Sequence, residues 1–129
     1  MDKAIEEEII KKYVISNKQE RIIWELNSPK KREGVMGRRF HRPYVFKEVC
    51  LRPIEDINEK DIKKNLSKSD GKAEVYYMGM DYIGYLPVEQ AVEMSIADIC
   101  IIYCGNDIGY YQGEQEYGPP PRYKLLATK

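Results

Sequence analysis

The run "CIIYCGNDIGYYQG", residues 100–113, constrains this chain more than any other stretch. Two segments rich in β-branched and aromatic residues flank Gly105-Asn106-Asp107, and a link this short joins neighbouring strands only as an antiparallel hairpin. Segments of the same character recur at "YVFKEVCL", which stops at Arg52-Pro53, at "AEVYYMG" and at "RYKLLAT". Each reads as a strand, so the spacing predicts a mostly antiparallel sheet of about four to five strands.

The first third has a different period. In "AIEEEIIKKYVIS" the apolar residues Ile5, Ile9, Ile10 and Tyr13 recur at helical spacing. Asn17 and Glu20 have the form of a capping box, predicting a second helix with Ile22, Ile23 and Leu26 on its inner side. Ser28-Pro29 suits the start of a third, running through "PKKREGVMGRRF", although Gly34 and Gly37 each cost about 1 kcal/mol there. Further on, Asn58 and Asp61, with Ile57 and Ile62 as a staple, predict a short helix over residues 59–67. Ser69-Asp70-Gly71 reads as a turn, and Pro87 opens a helix through "PVEQAVEMS". A chain of 129 residues suits a single α+β domain. Its helical part covers about 1–42 and its strand-rich part about 43–129, with N-terminal helices packed on the sheet.

Several function classes find no support. No secretory signal or membrane-spanning run is readable, so the cytoplasm is the expected location. The three cysteines, Cys50, Cys100 and Cys104, are expected as buried thiols, because a zinc site wants four ligands and the chain has one histidine. No glycine-rich phosphate loop is present. His41 sits among Arg38, Arg39 and Arg42 without a second group for acid–base catalysis. Carboxylate pairs such as Glu55-Asp56 are defined by spatial separation, which spacing in sequence does not give. No catalytic residue, metal, cofactor or small-molecule substrate is therefore expected, and a binding protein is the better reading.

Charge distribution carries the rest. Residues 1–72 hold 18 bases against 13 acids, and residues 73–129 hold 3 against 8. Between residues 73 and 121 there are eight acids, eight tyrosines and no Lys or Arg. Tyrosine gives large contact area with few rotatable bonds, and interspersed acids steer a basic partner. Asp81, Tyr82, Asp107, Tyr111, Glu114, Glu116 and Tyr117 are the expected partner-binding residues. Strand alternation sends Tyr110 and Tyr111 to opposite faces, and Tyr111 is assigned to the partner side because Ile108 and Tyr110 share the other. The bland alternative is that about half of the tyrosines line the core. A second reading uses the basic run Lys30, Lys31, Arg32, Arg38, Arg39 and Arg42 to grip nucleic-acid phosphates, although the run could equally pair with the chain's own acidic half.

Two segments carry a resemblance. "NKQERIIWELNSPKKREGVMGRRFHR" and "CIIYCGNDIGYYQGEQEYGPPPRYKLL" resemble the ends of a group of small bacterial proteins with an "ER…L.SPKKR" start and a "C…G…YY.GE…RY.L" finish. The matching positions are Glu20, Arg21, Ser28, Pro29, Lys30, Lys31 and Arg32, then Gly109, Tyr110, Tyr111, Gly113, Glu114, Arg122 and Tyr123. In general character the chain is similar to the immunity proteins of bacterial polymorphic-toxin and contact-dependent inhibition systems. That similarity implies a cytoplasmic, non-enzymatic protein that occludes a cognate toxin. A nuclease, above all an RNase, is the expected toxin because its cleft must be basic.

Overall fold

The computed structural model describes residues 2–66 and 74–127, and the turn expected at Ser69-Asp70-Gly71 lies outside the described residues. Six strands form one sheet: β1 (Leu51–Pro53), β2 (Glu74–Met78), β3 (Ile83–Pro87), β4 (Cys100–Gly105), β5 (Ile108–Gln112) and β6 (Arg122–Leu126). Their spatial order is β1-β6-β5-β4-β2-β3 and every pairing is antiparallel. The helices are α1 (Lys3–Tyr13), α2 (Ser16–Asn27), α3 (Pro29–Arg32), α4 (Val35–Arg39), α5 (Glu59–Asn65) and α6 (Val88–Ser95). The class is α+β, as the sequence predicts.

The opening hairpin forms through its turn chemistry. Asn106 and Asp107 hold φ at 53° and 65°, the left-handed pair that a two-residue loop needs to match the twist of its strands. A register shift between Tyr103 and Gly105 places a bulge at the end of β4.

The sheet is covered on both faces, which explains why β4 and β5 read as continuous apolar runs. On one face Tyr76, Ile101, Tyr103 and Tyr111 meet Ile9 and Tyr13 of α1, Ile22 and Leu26 of α2, and Phe40 and Phe46. On the other, Tyr77, Cys100, Ile102 and Tyr110 meet Ile62 of α5 and Val88 and Ala91 of α6. A strand with both faces buried has no polar side to alternate.

Four local expectations are corrected. The segment "YVFKEVCL" is not a strand: residues 43–45 and 48–50 form tight 3-10 turns, and only Leu51–Pro53 joins the sheet. Val45, Phe46 and Cys50 are buried there, so their propensity serves core packing instead of sheet pairing. The backbone partners of this segment come from the α1–α2 link, through Ile15 N–H to the Val45 carbonyl and Lys47 N–H to the Tyr13 carbonyl. The third helix breaks in two at Gly34, whose φ of 78° lies in the left-handed region that favours glycine. The capping box at Asn17 and Glu20 does not form, because α2 starts at Ser16 after an Ile15 cap without a side-chain bond. Finally, β3 is an additional edge strand that brings the sheet to six. Its burial alternates, with Gly84 and Leu86 inward and Tyr85 outward.

Other signals hold. Ser28 Oγ accepts from Lys31 N–H at the start of α3, and Asn58 Oδ1 accepts from Asp61 N–H at the start of α5. Ile57 and Ile62 are buried in the same cluster. Among the described residues no helix is long and apolar enough to cross a membrane.

Candidate partner-binding surface

The structure divides the seven expected partner-binding residues among three places. Asp81 and Tyr82 lie in the β2–β3 turn, while Glu114, Glu116 and Tyr117 lie in the β5–β6 loop. Both segments emerge from the same end of the sheet, since Met78 pairs with Ile101 and Cys100 pairs with Gln112. Asp107 sits at the opposite end, in the β4–β5 turn, bonded to Lys12. Six residues of β4 separate the two ends, about 20 Å at strand rise. Tyr111 is corrected outright: it is fully buried, its hydroxyl donates to the Phe40 carbonyl at 2.6 Å, and it has no surface to offer. The alternation that separates it from Tyr110 is present, but both faces of the sheet are covered, so both rings are core.

Five of the eight tyrosines between residues 73 and 121 are buried, and three remain exposed. The buried rings find polar partners for their hydroxyls, as burial demands. Tyr76 donates to Glu6, Tyr103 to Glu8 and Tyr77 to Asp98, while Tyr110 accepts from Asn65. These bonds explain part of the acid–tyrosine association. Within that region only Asp98, among the described residues, is taken up by a core hydroxyl, since Glu6 and Glu8 belong to α1.

At the β2–β3 end the loops are built around Asp98 and Gln112, neither of which stands out in the sequence. Asp98 accepts from the Tyr77 hydroxyl and from Met80 N–H at 3.1 Å, tying the loop before β4 to the β2–β3 turn. Gly79 is required beside it, since a Cβ there would lie 2.3 Å from an Asp98 oxygen. Buried Gln112 presents its amide to the carbonyls of Ser95, Ile96 and Asp98, and accepts from Arg122 Nε at 2.9 Å. An amide at that point satisfies the free carbonyls that follow α6.

These anchors leave Met80, Tyr82 and Ile96 exposed, Ile96 at 68%. A depression of about 310 Å³ lies on one side of Met80, bounded by Pro29, Gly34, Asp81 and Tyr82. A second, of about 270 Å³, lies on the other, bounded by Ile96, Asp98, Glu114 and Pro120. Met80 rests on Gly37, where a Cβ would meet its sulfur at 3.0 Å.

The basic run proves to be largely internal. Arg32 forms a bidentate pair with Glu6 of α1, which is buried. Arg38 and Arg39 bond to buried Glu25 of α2, joined by Arg21. Arg39 and then Arg38 hold the Glu25 carboxyl down at about 2, against the opposing effect of burial. Arg42 pairs with Glu116 and, at 3.8 Å, with Glu114. Lys30 and Lys31 stay exposed. The run therefore meets the chain's own acids, and Arg42 partly neutralises the acidic loop.

Cys50, Cys100 and Cys104 are buried free thiols, and burial pushes Cys100 and Cys104 up to about 12. Among the described residues no three of His, Cys, Asp and Glu gather where they could hold a metal ion. No family model matches the chain, and neither a curated protein nor a solved structure matches it.

Proposed function

We propose that this chain is an immunity protein, a binding module that neutralises a bacterial nuclease toxin by covering its basic cleft with the β2–β3 end of the sheet. It would act in the cytoplasm and without catalysis. One observation carries the reading: an exposed apolar ridge of Met80, Tyr82 and Ile96 stands between two depressions and is edged by Asp81 and Glu114. An apolar centre with a polar rim is the anatomy of a protein interface, and methionine adapts to an irregular partner surface. Asp81 has no ion-pair partner among the described residues, so its charge is available to a lysine or arginine. Nucleic-acid binding along residues 30–42 is the weaker reading, because Arg32 and Arg42 are held by carboxylates and interrupt any continuous track.

The test is co-expression with the nuclease domain encoded beside this chain's gene. Growth should be rescued by the wild-type chain and lost with Ile96→Arg or Asp81→Lys, each of which should weaken the complex by about 2 kcal/mol or more. The proposal fails if no nuclease is encoded there, or if both variants protect fully.

A further inference from the structure

A separate cavity of about 200 Å³ lies between α2 and α4, away from the Met80 ridge. Its walls are Lys18, Arg38 and Arg39, its floor is Ile15 and Val45, and His41 and Tyr44 complete it. The cationic wall is under-neutralised. Arg21, Arg38 and Arg39 share the single carboxylate of Glu25, and Lys18 has no carboxylate partner among the described residues. Glu20, the other acid nearby on α2, lies in the neighbouring groove with Asn17, Arg21 and Trp24. The ion pairs with Glu25, and the Lys31 and Glu33 carbonyls that accept from Arg38, fix the two α4 guanidinium groups in place, so an anion would meet positive charge whose ordering is already complete.

One further feature narrows the ligand. Tyr44 is 72% exposed, and its ring stands edge-on to His41 with centroids 6.5 Å apart. A cationic wall over an apolar floor, with a free aromatic ring at the mouth, suits an anion that carries a flat group. The cavity falls below the roughly 300–1,000 Å³ of sites that enclose whole drug-sized ligands. It therefore has room for the anionic end and leaves the flat group outside, on Tyr44.

We propose that this cavity binds a mononucleotide, with the phosphate between Lys18, Arg38 and Arg39 and the base resting on Tyr44. Guanidinium groups match phosphate oxygens in geometry as well as charge. Arg32 and Arg42 are held by other carboxylates, so the site accepts one phosphate and not a strand.

The experiment is an amide-resolved NMR titration of the full chain with inorganic phosphate, adenosine 5′-monophosphate and adenosine. Saturable shifts confined to residues 15–18 and 38–45 are expected, with the monophosphate binding at least about tenfold more tightly than phosphate and adenosine producing none. Lys18→Glu, at an exposed position outside the Glu25 cluster, should weaken both anions at least about tenfold. Tyr44→Ala should reduce the monophosphate to the affinity of phosphate and leave phosphate unchanged. No saturable shift at about 10 mM of either anion overturns the proposal. So do equal shifts in the Lys18→Glu chain, adenosine binding as well as its monophosphate, or a single-stranded RNA that binds and is not displaced by the monophosphate.

Discussion

Glu25 in α2 is 2% exposed and bonds three arginines, whereas Glu116 in the loop before β6 is 50% exposed and bonds one. Both are acids meeting members of the same basic run, yet their surroundings give them different roles. The Glu25 carboxylate is desolvated while its arginines keep between 26% and 60% exposure, so the carboxylate depends on them for its charge, and the pairs fasten α2 to α4. Around Glu116, water screens the attraction and can replace either partner at little cost. Glu6 belongs with Glu25: it is buried, held by both terminal nitrogens of Arg32, and takes a third bond from Tyr76 of β2. A run of charge in the sequence thus resolves into a buried framework on the helical side and a solvated fringe on the loop side.

The largest effect that tests this contrast is Glu25→Ala. Four charge-assisted hydrogen bonds to Arg21, Arg38 and Arg39 would be lost at a buried position, and urea unfolding should show a loss of about 3 kcal/mol. A loss below about 1 kcal/mol would place Glu25 with the solvated pairs and break the comparison. Acid should act in the same direction. The folded Glu25 carboxyl titrates at about 2, against its ordinary 4.5, so the unfolded chain binds the proton first. Its stabilisation is complete above about pH 5 and is lost as pH falls toward 2. Glu8, lowered by the Tyr103 hydroxyl ahead of Lys12, adds to the same loss. In Glu25→Gln the unfolding midpoint should vary less between about pH 6 and 3 than in the wild-type chain.

The sequence made much of the fold legible because several elements carry a local physical signal. The α1 stripe, the Asn58 cap, the Asn106-Asp107 turn and the apolar runs of β4 and β5 each state their own geometry. What it hid was the second covered face of the sheet. Strand alternation turns Tyr110 inward and Tyr111 toward a partner, yet α1 and α2 lie over Tyr111 while α5 and α6 close over Tyr110. "YVFKEVCL" misled for a related reason, since β-branched and aromatic residues serve a helical core as well as a strand. The site was half legible. Asp81, Tyr82 and Glu114 come together, but Met80, Ile96, Asp98 and Gln112 are ordinary residues whose roles arise only from loops that meet across the sheet. The pairing of Glu6 with Arg32 spans 26 positions, and no sequence pattern announces it.

An intermediate effect is expected at Gln112, which belongs to neither class of ion pair. It is buried and neutral, and its side chain binds three carbonyls and Arg122. Gln112→Leu keeps the volume but leaves those carbonyls without a partner, so it should cost about 2 kcal/mol. Because the lost contacts hold residues 95–98, hydrogen exchange should rise in that loop more than elsewhere. Uniform acceleration across the sheet would mean that Gln112 supports the core at large and does not specifically position the Ile96 side of the ridge.

The smallest effect sharpens the comparison most. Glu114→Gln together with Glu116→Gln removes both partners of Arg42 without introducing a like charge. Arg42 can hydrate in their place, so the unfolding free energy should change by less than about 0.5 kcal/mol, and by less still at high salt. A loss above about 1 kcal/mol would show that the loop pairs are as structural as Glu25. Association with a basic partner has the opposite sensitivity. The two carboxylates are about half exposed, so they contribute to the long-range field before contact, and their removal should slow association at low ionic strength and matter little at high. If stability and association rate both stay unchanged in low salt, the field comes from Asp81 alone. The Met80 ridge would then have to recognise its partner chiefly by shape and apolar area.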